Sequence, residues 1–252
     1  MLSTLSNVSI EEVYSAFIDA FGDYEVELDM DIGTFEEMLR TRSYNKDLSV
    51  GYYDTSTLAG FVLIGYRDFG DHKIMYDTGT GVRKEYRRQG IANRILEEIK
   101  KLIRKKEIDS FLLEVLENNT SAIDLYAKNG FTVKRKFNCY EITKVPEQYT
   151  GIKVSTAETL DCANRIKEYC SFQPSWQNGY ESYVNVRDKY TVLILEKDTK
   201  RLGYGLVHSY NGNIMQIGIA PEQRDKKTVG ACINPTFMTK ITKNIFSHTE
   251  DL

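Results

Sequence analysis

Residues 87–92 read Arg-Arg-Gln-Gly-Ile-Ala and stand between a β-rich run and a long amphipathic stretch. At a strand-to-helix junction the first backbone N–H groups of the helix have no intrahelical partners, and the helix dipole adds positive potential there. Gly90 lets an anion approach the backbone with no Cβ in the way, Ala92 keeps the next turn small, and Arg87 and Arg88 contribute charge. Such an end suits a phosphate, and a diphosphate above all. A plain loop glycine beside a solvated arginine face would give the same six letters.

The elements that position this stretch follow from capping and periodicity. Ser9 with Glu12 forms a capping box ahead of Ile10, Val13, Phe17 and Phe21, which predicts a first helix near 10–20. Thr34 with Glu37 repeats the signal before Phe35, Met38 and Leu39, for a second short helix, and the acidic segment GDYEVELDMD lies between the two. LSVGYYD and LAGFVLIGY, joined by DTST, read as a hairpin, and KIMYDTGTGV as a third strand. After residue 90, Ile91, Ile95, Leu96, Ile99, Leu102 and Ile103 line one face of a helix whose other face is Lys, Arg and Glu. FLLEV reads as a buried strand. Asn119, Thr120 and Ser121 can cap a helix to Lys128 that Gly130 ends, and FTVKRKFNCYEI gives two strands or one bent one. The order is that of a mixed α/β fold with one central sheet.

Composition narrows the function classes. The chain has 252 residues, 41% hydrophobic and 27% charged, with a formal net charge of −3, so no general nucleic-acid or anionic-membrane surface is expected. The basic run IKKLIRKK is the outer face of an amphipathic helix. The apolar run Leu58 to Gly65 is too short to span a bilayer, and the amino terminus lacks the regions of a signal peptide, so a cytoplasmic protein is expected. Cys139, Cys162, Cys170 and Cys232 form no CxxC pair and no Cys/His cluster, which predicts reduced thiols and no metal site.

The segment around residue 90 resembles the GNAT superfamily of acetyl-CoA-dependent N-acetyltransferases, whose signature [Q/R]-x-x-G-x-[G/A] follows a strand. Arg87, Gly90 and Ala92 occupy its fixed positions, Val82 matches the hydrophobic residue at the strand end, and Lys84 stands where the family usually has proline. A second motif, N-x-x-A-x-x-L-Y-x-x-x-G-F, is matched by Asn119, Ala122, Leu125, Tyr126, Gly130 and Phe131. The resemblance covers most of residues 1–145 and implies a central, mostly antiparallel sheet with helices on both faces.

It also implies roles. The amides of Arg88, Gln89, Gly90, Ile91 and Ala92 would cradle the CoA pyrophosphate, and Val82 would pair with the pantetheine arm where the third strand and FLLEV splay apart. Asn119 would bond that arm, and Tyr126 would protonate the departing thiolate. Acetyl-CoA is then the co-substrate and no metal is needed. The acceptor is a primary amine of a small molecule, peptide or protein. For the general base the third strand offers Asp77 or Tyr76, or water leading to one of them, and alternation allows only one of the two side chains to face the cleft. GDYEVELDMD falls where the family's substrate loop lies, so Asp23 would attract a cationic amine and Tyr24 would wall its slot; a solvated acidic loop is the other reading. A non-catalytic CoA-binding or interaction module on the same fold is the competing function. The partners extend no further than acetyl-CoA and the amine, in a monomer or homodimer.

Beyond KVPEQYTG the pattern restarts as a degenerate, truncated copy. YTVLILEKDTKRLGYGLV echoes LSVGYYDTSTLAGFVLI, and GIAPEQRDKKTVG overlays GVRKEYRRQGIA with Arg224 on Arg87 but Lys227 on Gly90. The expected domains are therefore 1–145, the acetyltransferase domain, and 146–252, a GNAT-like remnant without a CoA site that covers a sheet edge of the first.

Overall fold

The computed structural model describes residues 1–23, 30–138, 151–158, 169, 173–224 and, for the backbone alone, 245–251. The backbone divides into two compact units, Met1–Phe137 with Asn244–Leu252, and Asn138–Lys243. The first contains β1 (Leu2–Thr4), α1 (Ile10–Phe21), α2 (Ile32–Thr41), β2 (Val50–Asp54), β3 (Thr57–Asp68), β4 (Lys73–Val82), α3 (Ile91–Lys106), β5 (Ser110–Val115), α4 (Thr120–Lys128) and β6 (Thr132–Phe137). The second contains β7 (Lys153–Ala157), α5 (Tyr180–Asn185), β8 (Tyr190–Lys197), β9 (Lys200–His208) and β10 (Ile214–Ile219). The last strand, β11 (Ile245–Asp251), returns to the first unit.

The first unit is a seven-stranded sheet in the order β1-β2-β3-β4-β5-β11-β6, antiparallel except for β4 and β5. Helices cover both faces. Alternation along β3 sends Phe61 and Leu63 to Val13, Phe17, Phe35 and Leu39 of α1 and α2, and Val62 and Ile64 to Ile95, Leu96 and Ile99 of α3. The mixed α/β class with a mostly antiparallel sheet is thus the observed fold. Ser9 caps α1 as its sequence signal predicts, accepting from the Glu12 amide at 3.2 Å. The second cap is displaced: α2 begins at Ile32, so the N-cap is Asp31, three residues before Thr34, and its carboxylate accepts from the Thr34 amide at 2.7 Å.

β4 holds the irregularity that matters most. Leu63 of β3 faces Gly79 and Ile64 faces Asp77, so Thr78 is an extra residue, a bulge. Its carbonyl accepts from Arg42 Nη1, at the end of α2, at 2.7 Å. Pairing of β4 with β5 runs from Ile74↔Ser110 to Asp77↔Leu113 and stops there, so the two strands part at the bulge. The slot between β5 and β6 is filled by β11, antiparallel to both. The second unit is a four-stranded antiparallel sheet, β10-β9-β8-β7, with Val192, Ile194, Tyr204 and Leu206 in a core with Tyr183 and Val186.

Candidate active site

The turn into α3 is an amide cradle. Arg88 and Gly90 both take left-handed backbone angles, φ 62° and 73°, on either side of Gln89, which folds successive N–H groups into a concave, anion-sized nest. Gly90 is the N-cap of α3 with no side-chain cap, and the first bond of the helix runs from Arg94 N to Gly90 O at 3.1 Å. A Cβ at Gly90 would meet nothing within 4 Å. The glycine is therefore required by its φ and not by crowding, and the space in front of the amides is open.

Two arginine–aspartate pairs brace this turn against the end of α1. Arg83 donates to Asp19 at 2.8 Å and to the Leu58 carbonyl at 2.9 Å. Arg87 holds Asp23 with two parallel bonds of 2.7 and 2.8 Å, and its remaining donors reach the carbonyls of Val82 and Ala20. The Arg87 bond and charge, with help from Lys84, hold the Asp23 carboxyl down to about 2. Lys84 sits in a single 3-10 turn, Lys84–Tyr86; with proline absent from that position, the ion pairs fix the loop. Arg87 supplies order here, with its guanidinium spent on protein acceptors.

Behind the cradle, Tyr126 of α4 donates to Asp77 Oδ2 at 3.0 Å, and Thr80 Oγ donates to the same oxygen at 2.5 Å. Asp77 and Thr80 are three residues apart, and strict alternation would place them on opposite faces; the bulge at Thr78 brings them to one face. Asp77 shares that face with Met75 and Leu113 and is buried. Burial pushes its carboxyl up to about 6, against the opposing pull of Thr80, Tyr126, the Gly79 amide and Arg42. Tyr76 is fully buried, and desolvation, followed by the charge of Glu114, drives its phenol well above the ordinary range, so it is poorly suited to take a proton.

A cavity of about 620 Å³ joins these parts, a volume within the usual span of small-ligand sites, about 300–1,000 Å³. Of the residues singled out in the sequence, Val82, Arg87, Arg88, Gly90, Ile91, Ala92, Asn119, Tyr126 and Asp23 line it. Gln89 does not; its side chain turns back to the Glu85 carbonyl at 3.4 Å. Asp77 stands outside the lining, behind Tyr126. Asn119 caps α4 through its oxygen, accepting from the Ala122 amide at 3.1 Å, while its Nδ2 is the group of the right chemistry to donate to a ligand. Asp23 reaches the cavity with its carboxylate taken by Arg87. Tyr24 lies outside the described residues, as do Lys227 and all four cysteines. Among the described residues no group of three or more His, Cys, Asp or Glu could hold a metal ion, and no helix is long and apolar enough to cross a membrane.

The sequence reading missed Thr80, Arg42 and Asn129. Asn129, 2% exposed, donates to Asn93 Oδ1 at 2.9 Å and so ties the end of α4 to the first turn of α3, whose Asn93 lines the cavity. Periodicity carried no sign of these contacts, which depend on a bulge and on helix ends meeting in space.

Residues 10–131 match the Acetyltransferase (GNAT) family. No curated protein matches the sequence significantly. Solved structures do match its fold. A putative acetyltransferase from Pyrococcus horikoshii is 18% identical with a TM-score of 0.67, over 100% of this chain and 89% of that one. A GCN5-related N-acetyltransferase from Sphaerobacter thermophilus is 14% identical with a TM-score of 0.69, over 100% and 95%. A tandem GNAT protein from the clavulanic acid biosynthesis pathway is 10% identical with a TM-score of 0.69, over 100% and 98%.

Proposed function

We propose, from the match of residues 10–131 to the Acetyltransferase (GNAT) family, that this chain transfers acetyl from acetyl-CoA to a primary amine by direct attack in a ternary complex. The observation that carries the reading is that one cavity holds both the open amide nest at Arg88–Ala92 and the phenol of Tyr126. The nest takes the diphosphate. The edge of β4 at Val82, left unpaired by β5, takes the pantetheine arm as an added strand. Asn119 donates to that arm, and backbone N–H groups near Val82 stabilise charge on the thioester oxygen as the amine attacks. Tyr126 serves the departing thiolate, and Asp77 is the carboxylate that receives the amine's proton.

We also propose that the second unit is a partial copy of the first. Its support is the turn after β10, where a 3-10 turn, Pro221–Gln223, leads to Arg224 as Lys84–Tyr86 leads to Arg87. The acceptor is a small-molecule amine or an amine of a peptide or protein. The experiment is a panel of such amines with acetyl-CoA and the full chain, reading free thiol release. Tight CoA binding with no thiol release across the panel would favour a non-catalytic CoA-binding module instead.

A further inference from the structure

The arrangement of Asp77 behind Tyr126 has a chemical consequence that rests on the acetyl-transfer reading above. Tyr126 lines the cavity and Asp77 does not, yet the phenol hydrogen of Tyr126 is given to Asp77 Oδ2. While Asp77 is ionised, Tyr126 therefore meets the cavity with lone pairs, as a proton acceptor. A protonated Asp77 can donate to the phenol oxygen instead, which releases the phenol's own hydrogen toward the cavity. The polarity of Tyr126 is set by the proton on Asp77.

The geometry points to Tyr126 and Asp77 as one proton shuttle, in which Asp77 stores, through Tyr126, the proton lost by the attacking amine and returns it to the departing thiolate. The amine nitrogen bonds to the thioester carbonyl carbon. A proton then leaves that nitrogen for the Tyr126 oxygen while the Tyr126 proton passes to Asp77. The C–S bond breaks, Tyr126 gives its proton to the sulfur, and Asp77 restores the phenol. The products are the amide and the free thiol, with Tyr126 and Asp77 back in their starting states. Asp77 touches neither reactant and acts through Tyr126.

The surroundings of Asp77 suit a store. Thr80 fixes Oδ2 from the same strand, and Oδ1 is buried with no hydrogen-bond partner among the described residues. β3 and β5 oppose it with the apolar Ile64 and Leu113, α4 presents Tyr126, the end of α2 brings the cation Arg42, and Tyr76 is the neighbouring titratable group on β4. A carboxyl near 6 accepts a proton and gives it up at neutral pH with little cost in either direction.

Infrared spectra of the full chain from about pH 4 to about pH 8, with and without CoA, test this without any amine. A protonated-carboxyl band should titrate near 6 and vanish in Asp77→Asn. In Tyr126→Phe its midpoint should rise by about one pH unit, since a donor to the charged form is lost. Saturating CoA should move the wild-type midpoint, desulfo-CoA should not, and neither should move it in Tyr126→Phe. Should Tyr126→Phe not fold, Thr80→Val removes the other donor, and its midpoint should rise while the response to CoA persists. A midpoint that ignores bound CoA in the wild type, or that responds equally in Tyr126→Phe, overturns the shuttle alone. Absence of CoA binding overturns the acetyl-transfer reading and this inference with it.

Discussion

Arg87 and Arg224 make the same hydrogen bond, each from Nε to the carbonyl five residues upstream, Val82 at 3.3 Å in one case and Ile219 at 3.2 Å in the other. Each also sends an amino nitrogen to the carbonyl of a helical residue, Ala20 or Tyr169. The same contact thus recurs at the turns that follow β4 and β10. We propose on that ground that Arg87 shapes the nest and is not itself the ligand of the diphosphate. Arg87→Lys keeps the charge and loses the fork, so it should weaken CoA binding about as much as Arg87→Ala, by at least about tenfold. Asp23→Asn separates the alternatives by sign. If Asp23 merely withheld Arg87 from the diphosphate, its loss would tighten CoA binding in a calorimetric titration; a braced turn requires that binding weaken.

Gly90→Val should lower CoA affinity by at least tenfold, about 1.4 kcal/mol. A β-branched residue at φ 73° is strained whatever space surrounds it. Relief of that strain rotates the amides that form the nest. Circular dichroism confirms the fold and calorimetry gives the affinity; unchanged affinity in a folded protein would remove the diphosphate from this turn.

Tyr126→Phe should reduce kcat more than it changes KM for acetyl-CoA, because proton transfer at the sulfur occurs in the transition state. The loss should lie near the lower end of acid–base effects, about 10², since a CoA thiolate is already a fair leaving group. Steady-state kinetics with an amine found by the panel measures it. Wild-type turnover, under conditions where chemistry limits the rate, would reduce Tyr126 to packing against Phe131.

These sites were unevenly legible in the sequence. Ser9, Gly90 and Asn119 each act within one turn of their own position, so their spacing announced their roles, and α3 declared itself by its apolar stripe. Asp77 was left open against Tyr76 because alternation puts the two on opposite faces without saying which face meets the cleft, and Thr80 was missed because the bulge at Thr78 breaks the alternation that would separate it from Asp77. The bonds of Arg87 to Ala20 and Asp23 span more than sixty positions and leave no local pattern. The place of β11 was invisible for the same reason, since a short strand carries no record of which partners it will find.

Asp77 also links stability to pH. Its ordinary value of 3.8 applies to the unfolded chain and about 6 to the folded one. As pH rises, the unfolded chain releases this proton first, so stability from this group is full below about 4 and falls until about 6. The total is about 3 kcal/mol at 1.36 kcal/mol per pH unit. Asp77→Asn has no such proton, and its oxygen and amide can still bond Thr80 and Tyr126. Relative to the wild type it should therefore gain stability between about pH 4 and about pH 7, as urea melts at the two ends would show. A constant difference between the two proteins would mean that Asp77 ionises in the fold at its ordinary value.

Deletion of residues 244–252 should damage the first unit, although they lie more than a hundred positions from it in sequence. β11 pairs with β5 from Ser110 to Val115 and with β6 from Thr132 to Phe137, so its removal leaves β5 with an open edge and β6 without its neighbour in the sheet. Exposed edges invite association with other chains. β5 also carries Leu113, opposite Asp77 at the point where β4 and β5 part, so fraying of β5 reaches the slot proposed for the pantetheine arm. The shortened chain should melt at least about 5 °C lower, bind CoA more weakly and aggregate more readily than the full chain, as read by calorimetry and light scattering. A fragment of residues 1–145 should share these defects, and supplying residues 244–252 as a free peptide should restore part of the melting temperature. A shortened chain that melts and binds like the full one would mean that β5 and β6 close on each other without β11, and that the carboxy-terminal strand is not needed to complete the sheet.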